Sequence, residues 1–323
     1  MNLRFALRGL SCVLALAPVC ARADENRTAL DAPTAPHARR AAPPADAREG
    51  SRGHIVLRPF YRHDELRFNI DGGGVDIISE LDWDDVRSAG LQLEGRVRLP
   101  GPFELRGDVA YGRVYDGHLR DSDYAGAGKT LEFSRSRSDT ERGSTLDASL
   151  AIGVPFSGRR WLAVPLLGVA YGEENYNIRN GVQIVPSSGA FGGLDSDYET
   201  RWLGVLWGLE LHWLPGEEWD LMARFTSRHS DYDADGHFNL RTDLAQPRSF
   251  GQSTIGRGSI LELGVKRDIG AGFTLDLSTR WDEWDTRHGK MEFFFASGGS
   301  SRQGLNEVKL ETFRVALGLG YSF

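Results

Sequence analysis

The last twelve residues, Thr312 to Phe323, alternate strictly. Odd positions carry Phe313, Val315, Leu317, Leu319, Tyr321 and Phe323, while even positions carry small or polar side chains such as Ala316, Gly318 and Ser322. A period of two belongs to an extended strand with two unlike faces. At this length one greasy face calls for lipid rather than a packed soluble core, and an aromatic carboxy terminus is typical of the last strand of a bacterial outer-membrane barrel. Chemistry in such a chain has to sit in its loops or its lumen.

The amino terminus fits export. Arg4 and Arg8 precede an apolar stretch from Leu10 to Val19, and Ala21-Arg22-Ala23 places small residues where a signal peptidase reads them. Residues 1–23 are therefore expected to be a signal peptide, too short in its apolar part to span a bilayer as a helix. Both cysteines, Cys12 and Cys20, lie within it, so the expected mature chain holds no disulfide. Val19 before Cys20 makes a poor lipoprotein site, and no lipid anchor is expected. Cleavage removes Arg4, Arg8 and Arg22, taking the net charge from -7 to -10. An acidic exported chain is unsuited to nucleic acid and suited to basic peptides. Residues 24–53 are rich in Ala, Pro and Arg without apolar period, and are expected to form a disordered periplasmic extension.

From residue 54 to 323 alternating segments recur: Ile55 to Arg62, Ser88 to Leu99, Phe103 to Tyr115, Thr145 to Val154, Trp161 to Tyr171, Arg201 to Trp213, Trp219 to Thr226, Ser259 to Val265, Phe273 to Trp281, and the terminal strand. Each is close to the roughly 9–11 residues a tilted membrane strand needs. An open sheet cannot leave unpaired edges in lipid, so it must close. The expected fold is all-β: a ten-stranded antiparallel transmembrane β-barrel. Short turns such as Pro100-Gly101-Pro102 alternate with long polar segments at about 63–87, 116–144, 172–200, 227–258 and 283–311, expected as extracellular loops. Trp161, Trp202, Trp213, Trp219, Trp281 and Trp284 fall near strand ends, where interfacial girdles belong. Charged lumen positions such as Glu94, Arg96, Arg106 and Asp108 would pair across and plug a barrel this narrow.

Two segments concentrate ionisable groups. One carries Asp121-Ser122-Asp123; the other carries Asp231-Tyr232-Asp233-Ala234-Asp235-Gly236-His237. By strand count they face each other across the mouth. Carboxylates and an imidazole over one cleft can orient and deprotonate a water; solvated loop acids are the plain alternative. Asp231-x-Asp233-x-Asp235-Gly236 also matches the first half of a calcium loop, although Thr242 stands where its bidentate acid belongs.

These pieces, in this order, resemble the omptins, ten-stranded outer-membrane aspartyl-type endopeptidases. Ser79-Glu80-Leu81-Asp82-Trp83 resembles the omptin Ser-Gln-Leu-Asp-Trp stretch. Asp121-Ser122-Asp123 matches the Asp-x-Asp pair, and Ser136-Arg137-Ser138-Asp139-Thr140 is similar to the motif after it. Asp233-Ala234-Asp235-Gly236-His237 matches Asp-Asn-Asp-Glu-His. The resemblance spans about Glu65 to Phe323. It implies that Asp235 and His237 activate water opposite Asp121 and Asp123. It implies further that Glu65 and Asp233 select a basic side chain, and that Tyr171, Glu173 and Arg201 contact lipopolysaccharide. Three departures stand out: Tyr124 in place of Trp, Gly236 in place of Glu, and Asn175 in place of an Arg of the lipid A site.

The expected protein is an outer-membrane endopeptidase that cuts near basic residues without metal or cofactor, with lipopolysaccharide as activating partner. The alternative is a non-catalytic barrel of the same build, an adhesin or a narrow cation-binding channel.

Overall fold

The computed structural model describes residues 52–323; the expected signal peptide and all but the end of the expected extension lie outside them. Fourteen strands follow one another: β1 (Gly53–Ile70), β2 (Ser79–Arg98), β3 (Glu104–Gly126), β4 (Thr130–Asp139), β5 (Gly143–Gly153), β6 (Phe156–Ser157), β7 (Trp161–Val185), β8 (Gly189–Ala190), β9 (Asp195–Trp213), β10 (Trp219–His237), β11 (Phe250–Gly270), β12 (Phe273–Thr286), β13 (Gly289–Phe294) and β14 (Ser300–Ser322). β5 and β4 share one place in the ring between β3 and β7, and β12 and β13 share another between β11 and β14. β6 and β8 are stubs on β7. The ring therefore has ten places. β14 returns antiparallel to β1, from His54 against Ser322 to Ile70 against Leu305, and closes it. Closure pairs every edge, the condition for a sheet in lipid.

The lipid-facing belt is the odd-numbered face of the terminal strand and its equivalents: Leu91, Leu150, Leu167, Leu203, Leu277 and Leu317 are all exposed. Trp161, Trp213, Trp219 and Trp281 are also exposed on this face. Two expectations need correction. Trp202 and Trp284 are not girdle residues: both point inward and are buried, with ring centroids 4.9 Å apart. The long polar segments are not mainly loops. β7 alone runs 25 residues, more than twice what lipid requires. The strands continue beyond the belt with polar outer faces, because there the outside solvent is water and alternation no longer needs a greasy side. The longest stretch without strand beyond the belt is 238–249.

The interior has two storeys. At membrane depth it is filled by ion pairs. Arg58 meets Glu94 at 3.0 Å and also binds Asp276. Glu210, 1% exposed, receives Arg106 at 2.6 Å, Arg224 at 2.5 Å and His212 at 2.6 Å. Above this layer lies an apolar storey in which Trp83 stacks on Tyr198 at 4.9 Å and Phe68, Tyr176, Phe250 and Leu305 pack around them. The mid-barrel cavity between charged side chains is about 60 Å³, room for a few waters. Purified barrel in planar bilayers should therefore show no stepwise ion conductance; steady single-channel steps would refute a plugged lumen.

Candidate functional site

The positions of the acidic residues follow from strand phase. On β10 the lipid-facing residues are odd, Trp219 and Phe225 among them, and the register against β9 and β11 runs without a break to the strand's end. Tyr232, Ala234 and Gly236 consequently point inward, and Asp231, Asp233, Asp235 and His237 lie on the outer face. β2 and β3 behave differently. Their pairing is disturbed between Asp84 and Ser88. Asp85 takes a left-handed backbone, φ 54°. Gly117 approaches Val86 so closely that a Cβ would lie 3.0 Å from its Cα. The paired irregularity moves the inward phase from Ser88 and Val86 to Trp83 and Leu81 on β2, and from Val114 to Leu119 on β3. Asp121 and Asp123 thereby turn into the mouth.

There they line a cleft of about 530 Å³. Phe68, Leu81, Tyr124, Phe238, Met291 and Phe293 are among the apolar side chains of its wall. Burial, and then the neighbouring Asp123 carboxylate, push the Asp121 carboxyl up to about 7, against a pull from Arg241. Burial raises Asp123 as well, opposed by hydrogen bonds from Ser79 and Ser134. Arg241 is itself gripped by Asp243 at 2.7 and 2.8 Å.

The expected water-activating couple is not assembled over this cleft. Asp235 is held on the outer face between Arg201 at 2.7 Å and Arg248 at 2.6 Å. His237 Nδ1 lies 2.9 Å from Asp197, not against Asp235. Glu65 and Asp233 do not converge either. Glu65 is exposed on the outer face of β1 opposite Glu311, where partial burial and that carboxylate raise its pKa. Asp233 is exposed on β10, across the ladder from Arg201 and Ser253. The calcium-loop spacing fails for the same reason: alternate residues of an extended strand stand about 6.8 Å apart and cannot curl around one ion.

Tyr171, Glu173 and Arg201 do share one surface. They lie on the outer faces of β7 and β9 just above Val169 and Leu203, with Glu173 directly across from Arg201. Tyr171 donates to Glu173, while Arg201 is engaged by Glu199 at 3.2 Å as well as by Asp235. Asp197, Arg241, Arg248 and the cleft's aromatic side chains are not among the expected site residues. The run Met291-Glu292-Phe293-Phe294-Phe295 inside a supposed loop was the available signal, since exposed loops seldom carry such a cluster.

A closed antiparallel ring with a greasy belt, girdle tryptophans and a polar plug is a bacterial outer-membrane β-barrel. Within that class the chain belongs to the Protochlamydia outer membrane protein (Pom) family, whose model matches residues 57–323. No curated protein matches it by sequence. Among solved structures it is similar to the outer membrane protease OmpT from Escherichia coli. That match has 13% identity over 84% of this chain and 97% of the other, with a TM-score of 0.71. Matches to Ail of Yersinia pestis (11% identity, 84% and 99% of the two chains, TM-score 0.29) and OprG of Pseudomonas aeruginosa (11%, 84% and 97%, 0.33) are much looser. At this identity the likeness to OmpT is one of fold, and the resemblance to omptins holds at that level.

Proposed function

We propose that this barrel is a plugged surface receptor that binds basic segments of peptides or proteins in its extracellular cleft. The observation that carries the reading is the inward pair Asp121 and Asp123 on a wall of mainly aromatic and aliphatic side chains, where the one cation, Arg241, is already paired with Asp243. Carboxylates give a guanidinium or ammonium charge-assisted hydrogen bonds, and ring faces take the rest of the cation. The outward Asp235 and His237 have no part in it. Titration calorimetry with Arg-containing peptides tests it: binding should be lost in Asp121→Asn/Asp123→Asn and kept in Asp233→Ala.

Hydrolysis is the second reading, and one observation favours it. A carboxyl held near 7 beside a second carboxylate can divide the roles of acid and base toward a bound water. An endopeptidase built this way differs from the Asp235–His237 scheme. His237→Ala should leave turnover of fluorogenic Arg peptides within about twofold, whereas Asp121→Asn should lower it by about 10²–10⁴. A collapse of activity in His237→Ala would restore the couple and sink this version.

Lipopolysaccharide is proposed as a partner of the outer face of β7 and β9. Tyr171, Glu173 and Arg201 lie next along the outer face from the exposed apolar Val169 and Leu203, which supports the reading that Arg201 exchanges an acidic neighbour for a lipid A phosphate. Refolded barrel should gain thermal stability on adding lipopolysaccharide, and Arg201→Ala should lose most of that gain; identical gains in both would remove Arg201 from the contact.

A further inference from the structure

The carboxylate pair takes up little of the extracellular cleft. A volume of about 530 Å³ lies in the range of pockets that enclose drug-sized ligands, and one guanidinium or ammonium group fills a small part of it. Ile70, Ile78, Leu244, Met291, Phe293 and Phe295 line much of the remainder. Phe133 and Phe295, on the same wall, are still 58% and 36% exposed. A basic side chain alone leaves most of this apolar surface in water, where it is costly.

Strand register sets the polar groups of the cleft apart. Asp123 pairs with Ser79, Ser79 with Ile70 and Ile70 with Leu305, in a row from β3 across β2 and β1 to β14. Gln303 lies two residues before Leu305 on β14, opposite Met291 of β13. Three strand spacings, about 14 Å along the wall, thus separate the acidic pair from Gln303. That is more than a lysine or arginine side chain spans. Gln303 lines the cleft, and its Oε1 is buried with no hydrogen-bond partner among the described residues. A buried acceptor of this kind calls for a donor. Water serves it in the free protein, and a backbone N–H of a ligand replaces that water without loss of the hydrogen bond. The same side-chain amide also donates, so it matches both polar groups of a peptide unit.

We infer that the cleft takes a peptide segment whose basic residue is flanked by a large apolar residue. The inference rests on the reading of the cleft as a site for basic segments and adds what fills the rest of it. The basic side chain meets Asp121 and Asp123, the backbone beside it meets Gln303, and the apolar neighbour lies against Met291 and Phe293. A second basic residue in that place would desolvate its charge on an apolar wall that already carries Arg241. The cleft therefore favours a mixed basic and apolar motif over a run of lysines or arginines.

Titration calorimetry on the refolded barrel in detergent tests it with three probes: acetyl-Leu-Arg-Leu-amide, acetyl-Gly-Arg-Gly-amide and n-propylguanidine. Leucine on both sides removes any dependence on chain direction. The leucine peptide should bind about tenfold or more tightly than the glycine peptide, through apolar burial, and propylguanidine should bind most weakly. Gln303→Met, close in size but without the amide, should weaken both peptides by about three- to tenfold. Equal affinity for the two peptides, or propylguanidine binding as tightly as the leucine peptide, would overturn the inference while leaving the acidic pair as a cation site. Wild-type affinities in Gln303→Met would overturn the placement of the backbone, and with it the route to the apolar wall. No binding of either peptide would overturn the cleft reading and this inference together. Should the variant not fold, the three wild-type titrations decide alone.

Discussion

Glu210→Ala is expected to cost the barrel about 3–5 kcal/mol, the usual penalty for removing one partner of a buried ion pair. Glu210 is the acceptor for Arg106, Arg224 and His212 at once, and all four side chains lie at membrane depth with little or no access to water. Truncation takes one anion from each of two guanidinium groups, leaving Arg106 with Glu104 and Arg224 with Glu262 and Glu94, beside a cavity too small to hydrate them fully. The loss comes from stranded charge rather than from the pair's net worth, which desolvation reduces when both partners are present. Urea unfolding of refolded barrel in lipid vesicles, followed by tryptophan fluorescence, measures it. Glu217→Ala, in an exposed turn, should stay within about 0.5 kcal/mol and serves as the reference. A cost below about 1 kcal/mol at Glu210 would mean that the lumen is well hydrated and the ion pairs are not a plug.

The plug, the ring and the belt were legible because each follows from a period of two. Leu91 and Leu93 outside, with Gln92 and Glu94 inside, need only alternation and a solvent that differs on the two faces. The same rule, counted onward from Phe225 through an unbroken strand, puts His237 outside. Residues 227–237 continue β10 instead of opening a loop, so the two acidic clusters do not face each other. The inward turn of Asp121 was not legible by counting. From Tyr111 an unbroken phase would place it outside, and only the paired irregularity at Asp85 and Gly117 reverses it. Nothing in Asp84-Asp85-Val86 marks that break on its own; it depends on two strands yielding at one level. Tertiary pairing therefore decided which acids reach the mouth. Trp202 and Trp284 face inward for a simpler reason: they lie at even positions, in phase with the lumen, although close to the ends of the expected membrane segments.

Binding of an Arg peptide that does not itself titrate should tighten about 10- to 100-fold between pH 5.5 and 8. The sign follows from Asp121. Its carboxyl is raised to about 7, so it carries a proton at pH 5.5 and a negative charge at pH 8. One added carboxylate beside a bound guanidinium contributes about 1.5–3 kcal/mol as a charge-assisted hydrogen bond. Asp121→Asn should flatten the profile at the weak, low-pH level. Asp123→Asn should move its midpoint down instead, because it removes the neighbouring charge and leaves burial as the remaining upward cause. Stability runs the opposite way. The folded cleft holds this proton more tightly than the unfolded chain, so the contribution is greatest below the ordinary carboxylate range and declines as pH climbs toward 7. Asp121→Asn should remove that decline from the pH dependence of the unfolding midpoint. Calorimetric titrations at several pH values decide the matter. An affinity that stays level from pH 5.5 to 8 in the wild type would mean that the ligand's cation does not meet Asp121, and the acidic wall would have to be given up as its site.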